Sequence, residues 1–206
     1  IKSDFFELNK NPYIKFTPKL LPTERTVLTV PEVQQIEALT FSRAEFYLEL
    51  IRDMFLFSCY TGLRFADTTS LQYENIDQTE DGLVLNIIAK KTNKQLILPL
   101  YKLYERKPEA IILKHKKDLL YHRGLVFHQY TNQYFNRTLK EIAKRASIQK
   151  KVTSHVARHT FATNLASKVP LHILKAILQH SKIETTMIYL HLSNKLVNDA
   201  LDGVDW

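Results

Sequence analysis

The stretch AEFYLELIRDMFLFSCYTG, residues 44–62, constrains the fold more than any other part of the chain. It is long and strongly apolar, so the residue pattern predicts a helix covered on most sides by other elements. No apolar run in the chain approaches the roughly 18–20 residues that a bilayer span needs, so protein must supply that cover. Gly62 stands where the helix should stop, because glycine enters a left-handed C-terminal turn without a Cβ penalty.

The flanking sequence supplies the cover. TVPEVQQIEAL carries a capping box, Thr29 with Glu32, and predicts a helix to about Leu39. LRFADTTSL predicts a short helix with Leu63, Ala66 and Leu71 turned inward. Residues 132–147 place Phe135, Leu139, Ile142 and Ala143 on one helical stripe. Thr153 or Ser154 can cap the helix that begins HVARHTFATNLA, and Pro170 can open LHILKAIL. IETTMIYLHL and NKLVNDAL read as two further short helices. LVLNIIAKKTNKQLILPL reads as a β-hairpin, two β-branched runs around a polar KKTNK turn. Residues 109–123 are mixed in character. Residues 1–28 hold Pro12, Pro18 and Pro22 with no sustained period and read as a linker or the end of an upstream domain. The expected class is α+β, mainly helical, with one small antiparallel sheet.

Composition narrows the partners. With 206 residues, 45% of them hydrophobic, the chain can form one domain, or one with a small appendage. It opens without Met, which predicts a piece of a longer protein, and its start has no secretory core. Cys59 is alone, which excludes an internal disulfide and a cysteine zinc cluster and fits the cytoplasm. The net charge of +8 favours an anionic partner, nucleic acid before an acidic membrane. Lys114, Lys116, Lys117 and Arg123, then Lys140, Lys144, Arg145, Lys150 and Lys151, spread that charge as a long polyanion would require.

The motif HVARHTFATNLA, residues 155–166, admits three readings. His155 and His159 lie four apart on one helical face and could grip a metal, but the general base of HExxH is missing and Arg158 would repel a cation. Both histidines could be ordinary packing residues. That leaves Arg158 turned toward a core of Val156, Phe161, Ala162 and Leu165, where a charge needs a partner. A bound phosphate would be that partner, with Arg64, Lys91 and His180 as further donors. Asp67, three residues after Arg64, can pair with it or orient it. Tyr189 lies beside His180.

Read in chain order, TGLRFAD, KKTNKQLILPL, HVARHTFATNLA, ILQH and TTMIYLHL resemble the catalytic domain of tyrosine recombinases, the integrases of phages and conjugative transposons. The resemblance runs from about Thr26 to His191. It implies a domain over residues 26–192, preceded at 1–25 by a linker or the tail of a DNA-binding domain. The segment 193–206 would pack on its own domain or dock on a neighbouring protomer through Leu196, Val197 and Leu201. It implies Arg64, Lys91, His155, Arg158 and His180 as catalytic residues, Tyr189 as nucleophile and Asp67 as support for Arg64, with His155 as general base or acid toward Tyr189, Lys91 as proton donor to the leaving oxygen and His180 on the phosphate. Lys90 and Lys94 compete with Lys91. His159 takes a packing or supporting role. Two positions depart from the usual pattern: Gln179 replaces a common glycine and Ala157 a common leucine.

The implied function is site-specific DNA recombination or integration of a mobile element. Tyr189 would attack a DNA phosphodiester to give a covalent 3′-phosphotyrosine, with no metal, cofactor or ATP. The implied partners are double-stranded DNA and further copies of the chain in a tetrameric synapse, with no membrane. A type IB topoisomerase, a non-catalytic DNA-binding regulator and a metallohydrolase built on His155 and His159 are the alternatives.

Overall fold

The computed structural model describes residues 25–116 and 124–191. Its centre is the apolar helix, here α2 (Phe46–Thr61), entered through a 3-10 turn at Arg43–Glu45. Leu48, Ile51, Phe55 and Phe57 on it are all fully enclosed. The preceding helix α1 (Val30–Glu37) carries the expected capping box and buries Val33 and Ile36. After α2 comes α3 (Phe65–Thr68), shorter than the sequence suggested. Leu63 and Leu71 are buried as expected, but Ala66 is exposed, and Asp67 and Thr68 face inward instead. The polar pair is tolerated there because Thr68 shares a hydrogen bond with Ser58 (3.1 Å) and Asp67 accepts the Lys90 amide (2.9 Å).

Three antiparallel strands follow in the order β1 (Ile76–Gln78), β2 (Leu83–Ile88) and β3 (Gln95–Pro99). β2 and β3 are the expected hairpin, with Leu85 opposite Leu98 and Ile88 opposite Gln95. Leu83, Leu85 and Ile87 point into the core at the period of two that a half-buried strand requires. β1 is a third strand that the sequence did not announce. Of the mixed segment, residues 109–116 lie in α4 (Lys107–Lys116), and the rest falls outside the described residues. An ionic cluster fastens α4 to α2: the Asp53 carboxylate, 3% exposed, meets Arg52, Lys114 and His115. Burial pushes that carboxyl up, but His115, Lys114 and Arg52 overcome it and hold it at about 2.

α5 (Asn132–Arg145) presents the expected stripe, with Phe135, Leu139, Ile142 and Ala143 all buried. α6 (Ser154–Ala166) and α7 (Leu171–Ile177) follow, and residues 184–191 form a last described helix, α8. Thr153 is the N-cap residue of α6 by conformation, but the caps come from α5: Asn136 accepts the Ser154 amide (2.8 Å) and Asn132 accepts its hydroxyl (3.0 Å). The helix expected at NKLVNDAL and the segments 1–24 and 193–206 lie outside the described residues. Among the described residues no helix is long and apolar enough to cross a membrane.

α2 and α6 meet at Gly62. This residue ends α2 in the left-handed region (φ 71°), and a Cβ on it would collide with the Phe161 ring of α6. Gly62→Ala should therefore lose roughly 2–4 kcal/mol, combining backbone strain with overpacking. A urea titration checks this. Phe161→Leu should recover part of the loss in the Gly62→Ala background and should only destabilise the wild type.

Candidate active site

The centre of the site is Arg158 on the first turns of α6, 9% exposed. Its Nη1 donates to the Gly62 carbonyl at 2.6 Å and its Nη2 to the Leu178 carbonyl. Both acceptors stand at helix ends, where carbonyls lack partners within the helix. Arg64, at the N-terminus of α3, donates from Nη2 to the same Leu178 carbonyl at 3.4 Å. The two guanidinium groups therefore converge on one oxygen. Burial and the charge of Arg64 bring Arg158 down to about 10, which leaves it charged at neutral pH. Nearby Asp67 works in the opposite direction. The Asp67 carboxylate accepts the Lys90 amide of the hairpin, and it acts on Arg158 by charge.

Leu178 closes α7. The Gln179 amide donates to the Ala176 carbonyl (3.0 Å) and the His180 amide to the Lys175 carbonyl (3.1 Å). This is the paired-bond pattern of a helix ending on a left-handed residue, and Gln179 takes that conformation with φ 50°. The chain then turns so that the His180 ring stacks on Tyr189 of α8, centroids 6.2 Å apart and planes inclined by 14°. His180 Nδ1 lies 3.0 Å from the buried Thr186 hydroxyl, which fixes the ring.

Tyr189 is only 1% exposed. Its hydroxyl lies 2.8 Å from His159 Nδ1 and accepts a hydrogen bond from Arg25 Nη1 at 3.3 Å. Because Arg25 is a donor only, the phenolic proton is free to point at His159. Burial raises the phenol above its usual value, while Arg25, Arg158 and Arg64 pull it back. His159 is lowered to about 4 by burial and by its neighbours Arg25, His155 and Arg158. His180 is lowered to about 4 by burial, Arg158 and Arg64. Both imidazoles are neutral at pH 7.

The structure thus brings together Arg64, Arg158, His180 and Tyr189, with Asp67 beside them. His155, one turn before Arg158, is exposed, and Lys91 is exposed on the β2–β3 turn. His159, expected in a packing or supporting role, is the histidine at the tyrosine hydroxyl. Arg25 was not anticipated, since no local pattern links it to a residue 164 positions away. It reaches the site because the Leu28 amide is anchored on the Thr160 hydroxyl of α6 (2.9 Å) and the Leu28 side chain is buried. Among the described residues no group of three or more His, Cys, Asp or Glu side chains is placed to hold a metal ion.

The fold and these side chains define a tyrosine recombinase catalytic domain. The chain belongs to the phage integrase family, which it matches over residues 27–195. It is 30% identical over 208 residues to tyrosine recombinase XerD of Listeria innocua, covering 94% of this chain and 67% of that protein. It is 33% identical over 150 residues to a tyrosine recombinase of Thermosipho africanus, covering 69% of this chain and 50% of the relative. Among solved structures it shares its fold with XerA recombinase (TM-score 0.67, 24% identity, 90% of this chain and 68% of that one). It also shares it with XerH site-specific recombinase bound to a palindromic difH substrate (TM-score 0.67, 18% identity, 86% and 53%). The chain spans from half to about 68% of the length of these relatives and structures.

The two depressed histidines give a pH prediction. Unfolded, His159 and His180 titrate near 6.5; folded, near 4. Between those values the unfolded chain binds more protons, so native stability falls as pH drops from about 6.5 toward 4. Thermal melts across that range should show a falling midpoint, and His159→Gln should flatten the slope. A wild-type midpoint independent of pH there would contradict the burial of these neutral rings.

Proposed function

We propose that this domain is the catalytic part of a site-specific DNA recombinase that breaks and rejoins strands through a covalent tyrosine–phosphate link. The observation that carries the reading is the Tyr189 hydroxyl held between a neutral histidine and an arginine, beside two further arginines that converge on one carbonyl oxygen.

In this reading a DNA phosphodiester enters where Arg64 and Arg158 converge. Each guanidinium can offer paired hydrogen bonds to the non-bridging oxygens, and their pull grows as charge builds toward the pentavalent transition state. Tyr189 attacks phosphorus. The new Tyr189 O–P bond forms as the bond from phosphorus to the 5′ oxygen breaks, leaving a 3′-phosphotyrosine. The phenolic proton passes to His159, which lies on it, whereas His155 is exposed and better placed to meet the phosphate. Lys91 gives a proton to the departing 5′ oxygen, and His180 holds the ring and the phosphate. Arg25 is an added cation on the phenol, one that stabilises the phenolate as it forms. Because the guanidinium groups carry the electrostatic load, the step asks for no metal, and the covalent ester conserves the bond energy, so it asks for no ATP. A 5′ hydroxyl from a second duplex reverses the step. Exchange between two duplexes requires copies of the chain to assemble on DNA, and residues 193–206 are a candidate contact between them.

The target sequence can be found in the same experiment that tests the chemistry. Duplexes of randomised sequence, each nicked so that the cleaved piece diffuses away, are incubated with the protein in EDTA, and adducts that survive denaturant are recovered and sequenced. Wild type should enrich a defined sequence, and Tyr189→Phe should give none. Arg64→Lys and Arg158→Lys should fall by about 100-fold or more, the scale for losing a preorganised donor. His159→Ala should fall further than His155→Ala, by on the order of 100-fold for a lost proton acceptor. Adduct from Tyr189→Phe at the wild-type level would sink the assignment.

A further inference from the structure

The residue that ends α7 does more than end a helix. Gln179 pays for a left-handed backbone that a glycine would adopt freely, yet the residue is 6% exposed and both ends of its amide are bonded. Its Oε1 accepts from the Thr92 hydroxyl at 3.0 Å and its Nε2 donates to the Lys94 carbonyl at 3.0 Å. The Lys94 carbonyl can only accept, which fixes the orientation of the amide. Both partners belong to the β2–β3 turn, which also closes on itself through the Asn93 amide to the Ala89 carbonyl (2.8 Å) and the Ala89 amide to the Lys94 carbonyl (2.9 Å). Its other side is gripped by Asp67, which accepts the Lys90 amide. Lys91 therefore sits between two grips, one from Asp67 on α3, the helix that Arg64 precedes, and one from the residue between Leu178 and His180.

We propose that Gln179 is a positioning residue: its amide ties the end of α7, with the carbonyl shared by both arginines, to the turn that carries Lys91, and so holds the proton donor at the phosphate site before DNA arrives. This rests on the function proposed above, in which Lys91 protonates the departing 5′ oxygen. Without Gln179 the turn keeps only the Asp67 grip at Lys90, and the residues from Thr92 to Lys94 are released from α7.

Gln179→Gly removes both bonds while suiting the backbone conformation, so the variant should fold. Two measurements on the whole chain then separate the tie from the chemistry. Hydrogen exchange across residues 89–95 should speed up by on the order of tenfold in the variant, with exchange in α2 unchanged. Adduct formation is next timed at saturating protein, on the duplex most enriched in the selection above and on the same duplex with sulfur in place of the 5′ bridging oxygen. A thiolate leaves without needing a proton. Gln179→Gly should be at least tenfold slow on the oxygen substrate and close to wild type on the sulfur substrate, and Lys91→Ala should show the same recovery. Equal slowing on both substrates, or wild-type exchange in the turn, overturns the proposal. If wild type itself forms no adduct on any duplex, the recombinase reading falls and the positioning role goes with it, while the exchange data still report whether the tie exists.

Discussion

A guanidinium buried in the middle of the domain is the constraint on which the rest depends. Arg158 cannot shed its proton at neutral pH, and a buried charge without partners is very costly. It is made tolerable by two carbonyls left over at helix ends, Gly62 after α2 and Leu178 after α7. Those oxygens lie far apart in sequence, so satisfying one side chain fixes three helices relative to each other. The close approach of Gly62 to Phe161 is the packing counterpart of the same requirement: only a residue without Cβ lets α6 come near enough for Arg158 to reach the carbonyl.

Carbonyl dipoles solvate the cation but do not neutralise it. Asp67 is the carboxylate that acts on Arg158, and its oxygen is given to a backbone amide. Arg64 stands close enough to depress Arg158 further. The surplus positive charge has consequences for every neighbour. It adds to the burial that already keeps His159 and His180 neutral at pH 7, and it offsets the burial that would otherwise push the Tyr189 phenol higher. Such a site is poorly balanced alone and better balanced with an anion in it, which is the condition for electrostatic catalysis of phosphoryl transfer.

Much of this was legible in the sequence. The apolar run of α2, the stripe on α5, the capping box at Thr29 and the hairpin were all visible because each is a local pattern. Arg64, Arg158, His180 and Tyr189 could be named from motifs in order, and the structure gathers them. What local patterns missed was decided by packing. Ala66 looked like a core residue by type, but α3 is short and turns Asp67 and Thr68 inward. His155 and His159 share a helical face, and spacing alone could not say which one meets the tyrosine; α8 lies over the second. Arg25 reaches the site through a backbone amide held by Thr160, a contact with no sequence signature at all.

Gln179 shows how a local penalty can be a sign of a distant contact. Judged by its own backbone, a glutamine in the left-handed region costs about 1 kcal/mol relative to glycine. Judged with its side chain, it gains two hydrogen bonds, each contributing about 0.5–1.5 kcal/mol net, so the strained residue is favourable where it stands. The gain exists only because β2 and β3 return their turn to the end of α7. A local rule broken at the centre of a site is therefore informative: the energy that offsets it must come from another element, and here that element carries Lys91.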